Sequence, residues 1–162
     1  MSFVTNLDNQ PPLPVPETNP DRVIELGWFP DIDPAVVRKD HRIREGVTAD
    51  RLRTALIAAI ISVGNDLGPW QAAQSTAGFD SLADVPELIR IDGESRLVHC
   101  YRRAVALYAK AEIVERYRDI DTSATGERRA DDLDPSVTEL RRDGLHAIRD
   151  ILGKGRTTVE LI

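Results

Sequence analysis

Val98, Tyr101, Val105, Tyr108 and Glu112 follow one another at alternating steps of three and four, which is the repeat of a helix and not of a strand. Leu97, Ala104, Ala111 and Val114 widen this stripe into a broad apolar face. The pattern predicts one unbroken helix from Glu94 or Ser95 to Tyr117, about 35 Å long at 1.5 Å per residue. A face that wide can pack on two neighbours, so this helix is expected at the centre of a helical body.

The rest of the chain supplies the neighbours. Asp33 as N-cap and Pro34 at the first helical position predict a helix running to about Glu45. Thr48 caps a second helix, with Asp50 in its first turn and Leu52, Leu56, Ile60, Val63 and Leu67 along one face. Gly68 and Pro69 are expected to kink or end it, with residues 70–76 able to add a turn or two. Residues 78–93 read as a loop containing Pro86 and the turn-forming pair Asp92 and Gly93. Asp134 and Pro135 predict the start of a last helix, which carries Val137, Leu140, Ile148, Ile151 and Leu152 to Gly153. The expected fold is therefore all-α, a small four-helix bundle over residues 28–153.

Two appendages flank the bundle. Residues 1–27 hold Pro11, Pro12, Pro14, Pro16 and Pro20 with few large apolar groups, and are expected to form a flexible extended arm. Residues 154–162 leave the last helix through Gly153 and Gly155. The segment Arg156, Thr157, Thr158, Val159, Glu160, Leu161 and Ile162 then reads as a strand. A lone strand in a helical chain must solvate its backbone or pair it elsewhere, and an edge strand of another protein is a natural recipient.

Composition excludes several functions. With 162 residues the chain supports one domain. A net charge of -6 argues against a protein whose main work is gripping nucleic acid. The single cysteine, Cys100, excludes an internal disulfide framework and a cysteine-rich zinc site. Residues 1–10 lack the basic and apolar regions of a secretory signal, and the apolar run at 55–63 is half of a membrane span. Aromatics are only 5%, so packing is expected to rest on aliphatic residues and alanine.

The reactive groups form no recognisable set. Asp31 and Asp33 alternate in an extended segment and point to opposite sides, and Asp33 is already a cap, so no metal is assigned to them. His99 and Cys100 project about 100° apart on a helix, which keeps both from one ion. Ser95 follows Gly93 but lacks the second glycine of a nucleophile elbow, so it reads as a helix cap. Gly153, Lys154 and Gly155 follow a helix where a phosphate loop precedes one. His41, His99 and His146 fall on three different helices. No catalytic residue, metal or cofactor is assigned. Arg128, Arg129, Arg141 and Arg142 are the densest basic spots, yet Asp131, Asp132, Asp134 and Asp143 lie beside them. Such self-neutralised patches suit a subunit interface better than a DNA-reading surface.

The order of motifs matches a known family. Phe29 to Pro34, then Arg51, Leu52, Arg53 and Ala55, then Ala77, Gly78, Phe79 and the series from Ser81 to Pro86 resemble the gpL-type head-completion protein of contractile-tailed temperate phages. The match continues through Ile91 to Ser95, Arg103 to Val105, Glu115 to Arg118, and Asp121, Ser123, Ala124, Gly126, Ala130 and Asp131. It spans the chain from Trp28 onward; the more continuous second helix of the family is the one departure, at Gly64, Gly68 and Pro69.

The resemblance implies a virion protein at the head-tail junction, made in the cytoplasm of a bacterial host, that binds the capsid portal after DNA packaging. As a ring of about twelve copies it would form the adaptor on which tail or stopper proteins dock, and DNA would pass through the channel without specific binding. Residues 156–162 would then be portal-binding, and Arg128, Arg129, Asp131, Asp132, Arg141 and Arg142 would meet the next subunit. The alternatives are a small helical DNA-binding or regulatory protein, and a hydrolase built on Ser95 with one of the histidines.

Overall fold

The computed structural model describes residues 19–117 and 136–155. Along the chain run α1 (Pro34–Asp40), α2 (Ala49–Thr76), a 3-10 turn (Leu82–Asp84), β1 (Arg90–Ile91), β2 (Glu94–Ser95), α3 (Arg96–Tyr117) and α4 (Val137–Ile151). The described part is mostly helical. Its one sheet is a two-residue antiparallel hairpin that pairs Arg90 with Ser95 and Ile91 with Glu94.

The helix α3 is central, as its wide stripe requires. Val98, Tyr101, Ala104 and Val105 are buried, as are Ala106, Ala109 and Ile113. Helices α2 and α4 both run antiparallel to it. Arg51, Thr54 and Ala55 of α2 face Glu112, Ile113 and Arg116 of α3, while Arg141 near the start of α4 pairs with Glu115 near the end of α3. Further along, α4 comes so close that a Cβ at Gly144 would lie 2.5 Å from the Tyr108 ring. The core-facing positions predicted for α2 hold: Leu52, Leu56, Val63 and Leu67 are fully buried, and Ile60 is half-buried.

Each helix boundary follows from identifiable bonds. Asp33 caps α1 by accepting the Ala35 N–H at 2.8 Å, as predicted. The helix stops at Asp40 instead of reaching Glu45, because Arg42 turns left-handed (φ 51°). The Ile43 N–H then returns to the Arg38 carbonyl at 3.0 Å and the Arg42 N–H to that of Lys39 at 3.4 Å, the paired bonds of a Schellman cap. Burial of Ile43 fixes this turn, which no glycine announces.

The helix does not end at Gly68 and Pro69; α2 runs on through residues 70–76 to Thr76. Pro69 sits on the exposed face, so the helix loses one bond there without burying the orphaned carbonyl. Trp70 anchors the extension by packing edge-on against Trp28, with ring centroids 5.9 Å apart. Gly78 (φ 94°) then ends the helix with the same pair of bonds, from Phe79 to Gln74 and from Gly78 to Ser75.

Three further expectations need correction. The N-cap of α4 is Ser136 and not Asp134, which lies outside the described residues. A capping box decides it: the Glu139 N–H donates to the Ser136 hydroxyl, and the Glu139 carboxylate accepts the Ser136 N–H at 2.8 Å. The loop at 78–93 contains the 3-10 turn and ends in the hairpin, whose corner residues Asp92 (φ 50°) and Gly93 (φ 80°) take the left-handed pair that a two-residue hairpin favours. The arm expected to extend to residue 27 is docked over its described part. Ile24 and Ile32 exchange backbone bonds of 2.8 and 3.0 Å, and both are buried.

Four aromatics, Trp28, Phe29, Trp70 and Tyr101, are gathered in one place. Phe29 stacks on Tyr101 at 4.5 Å, and Trp28 packs against both Phe29 and Trp70. The Trp28 indole N–H donates to the Phe79 carbonyl at 3.0 Å, and its own carbonyl accepts the Leu82 N–H at 2.9 Å. One residue thereby ties the entering chain to the end of α2 and to the 3-10 turn.

Candidate interaction surfaces

The groups with chemical potential are engaged in folding. Ser95 is buried, and its hydroxyl accepts the Leu97 N–H at 3.3 Å, as a cap would. His99, on the following turn, has its Nε2 3.0 Å from the Ile91 carbonyl and 3.8 Å from Glu94. Burial is the main force pushing the Cys100 thiol up, with Asp150 adding to it, which is opposite to the thiolate activation of a nucleophile. Asp31 accepts the Leu26 N–H at 2.7 Å, and Asp33 is spent on α1. Desolvation holds the His41 imidazole below its usual range; Lys110 and Arg103 lower it further, and Asp40 opposes them.

What the surface offers is charge and exposed aliphatic groups. Of the residues expected at a subunit interface, Arg141 and Arg142 are exposed. Arg141 pairs with Glu115 of α3, and Arg142 with the adjacent Asp143 at 3.0 Å. Arg128, Arg129, Asp131 and Asp132 lie outside the described residues, as does the expected portal-binding segment 156–162. The Arg141 contact escaped sequence reasoning because its partner is 26 positions away.

A second surface is the hairpin with the segment leading into it. Glu87 accepts two bonds from Arg96, at 2.8 and 3.3 Å. That pairing, joined by the Ile89 N–H, holds its carboxyl below the usual carboxylate range. Glu94 pairs with Arg102 at 2.7 Å. These bonds fasten the hairpin to α3 while Leu88 stands fully exposed and Ile89 and Ile91 about half exposed. Ile57 and Ile61 form a separate exposed pair on the outer side of α2. In the sequence, only the Asp92 and Gly93 turn hinted at the hairpin.

Residues 23–162 match the family model for the phage head completion protein (GPL). The head completion/stabilization protein of Escherichia phage P2 is 39% identical over 150 residues, covering 93% of this chain and 88% of that protein. The probable head completion/stabilization protein of Haemophilus phage HP1 is 26% identical over 136 residues, covering 84% of this chain and 89% of its own length. No solved structure matches the chain. With a family model spanning most of its length and a relative aligned over nearly all of it, the chain belongs to the phage head completion protein (GPL) family.

Proposed function

We propose that this chain is a structural virion component without catalysis, which completes the phage head by joining the portal as a ring-shaped adaptor of the four-helix type. Tail or stopper proteins then dock on the ring. The observation that carries the reading is the match to head completion proteins over residues 23–162. Supporting it, Ser95 and Asp33 serve as caps, while charged and aliphatic surfaces remain exposed.

Residues 156–162 dock on the portal in this reading. Seven residues reach about 23 Å when extended, and their richness in β-branched side chains suits strand addition to a partner's sheet edge. Arg128, Arg129, Asp131, Asp132, Arg141 and Arg142 contribute to the contact between copies, where opposite charges fix the register of a closing ring. A ring of chains each carrying -6 makes a channel that repels phosphate, so DNA passes without specific binding.

The test is mass by light scattering, alone and with portal. The full chain should form a stable complex, and a chain ending at Gly155 should remain folded and fail to form it. Full portal binding by that truncate would refute the role of the tail. A Ser95→Ala chain that assembles normally is also expected, since losing a cap costs about 1 kcal/mol.

A further inference from the structure

We propose that in the free chain residues 156–162 fold back on the outer edge of β1 and cover the apolar segment 88–91 until the portal takes them. The release step rests on the reading above; the docking does not. Leu88 is fully exposed, and Ile89 and Ile91 about half, the densest run of exposed aliphatic groups among the described residues. Clustered apolar groups mark a contact where single ones do not.

The backbone of this segment is open on one side. Ile91 and Glu94 flank a two-residue turn, so they exchange ladder bonds, and the next pair, Arg90 and Ser95, does not. The Ile89 carbonyl accepts the Arg96 N–H at 3.1 Å, again on the side of β2. The Arg90 N–H and carbonyl therefore face outward, at an edge that no described strand occupies. An extended segment can add there.

The place where the described chain ends says which segment this is. A Cβ at Gly144 of α4 would lie against the Tyr108 ring and 3.6 Å from the Ala104 carbonyl of α3. The two helices are antiparallel, so seven residues on, the buried Ile151 in the last turn of α4 lies level with the buried Leu97 in the first turn of α3. That same end of α3 holds the apolar segment, through Arg96 on Glu87 at 2.8 Å and on the Ile89 carbonyl. Beyond α4 the Lys154 N–H returns to the Arg149 carbonyl at 2.9 Å, and the Arg149 guanidinium holds the Gly155 carbonyl at 2.7 Å. The chain thus stays at this end of α3 through Gly155. A helix is about 10 Å across, and seven extended residues reach about 23 Å.

Side chains and tethering agree. Val159, Leu161 and Ile162 can cover Leu88, Ile89 and Ile91, and Glu160 is the one carboxylate side chain of the segment. Arg90 donates to the Gly93 carbonyl at 3.0 and 3.2 Å and pairs with no carboxylate among the described residues, so Glu160 can meet it. A tether this short gives a local concentration in the millimolar range, which favours the chain's own segment over that of a second copy.

The experiment is amide hydrogen exchange of the full chain, read by NMR at residue 90. Exchange there should be slowed about tenfold relative to a Leu161→Asp chain, and equally at all protein concentrations. Arg90→Glu and Glu160→Arg should each speed it, and the two together should restore protection. Adding portal protein to the full chain should speed it as well. Unprotected Arg90 in the full chain, indifference to Leu161→Asp, no rescue in the double variant, or protection that persists with portal bound would each overturn the proposal. Protection that grows with protein concentration would make the occupant a second copy and overturn it too. Unprotected Arg90 in a chain whose portal binding needs residues 156–162 refutes this proposal alone; protected Arg90 in a chain whose portal binding survives their loss refutes the portal role of the segment and, with it, the release step.

Discussion

Replacing Gly144 with alanine tests how closely α4 lies on α3. The new Cβ would meet Cδ1 and Cε1 of Tyr108 at 2.5 Å, with the Ala104 carbonyl oxygen at 3.6 Å. Contact at 2.5 Å is impossible, so the ring or the helix must move, and overpacking of this kind costs about 1–3 kcal/mol. Against that stands the better helix propensity of alanine, about 1 kcal/mol at an interior position. The clash exceeds or matches the propensity gain, giving a net loss of about 0–2 kcal/mol, or a fall in Tm of a few degrees at about 2–4 °C per kcal/mol. The sharper measurement is a double-mutant cycle by urea denaturation. In a Tyr108→Leu background the obstructing ring is gone, so Gly144→Ala should become stabilising by about 1 kcal/mol, with a coupling of about 1–3 kcal/mol. Additive effects, or stabilisation by Gly144→Ala in the original chain, would show that the helices are not held together at this point.

Other perturbations test the end of α1, the interior of α2 and one half-buried titratable group. Arg42→Gly should stabilise the fold by up to about 1 kcal/mol in chemical denaturation, since the turn after α1 already demands a positive φ there. Pro69→Ala should raise stability by about 1–3 kcal/mol, because it restores a backbone bond inside α2; a loss would mean that the proline is needed for the placement of Trp70. The folded pKa of His41 is lowered below 6.5, chiefly by burial. Its contribution is therefore fully present above about pH 6.5 and is lost as pH falls through the folded value. His41→Gln should flatten that part of the stability profile when urea midpoints are compared across pH 5–8.

How far the fold could be read in the residues depended on the range of the interactions. The stripe of α3, the core side of α2 and the caps Asp33, Thr48 and Ser95 were legible, because each rests on neighbours within a turn or two. The end of α1 was not: Ile43 stops the helix by burying itself in a core assembled from distant parts. The true start of α4 was written in Ser136 and Glu139, a local signal overlooked beside the more conspicuous Asp134 and Pro135.

Sequence alone determined that this chain is helical and that α3 is its wide-faced centre, since periodicity and local capping act along the chain; separately, the order of its motifs carried the resemblance to head-completion proteins. Only the tertiary structure decided that α2 continues through Pro69 and that Trp28, Phe29, Trp70 and Tyr101 form one cluster. Each of these depends on which distant surfaces are buried together, and the free energy of burial can override a local helix-breaking preference.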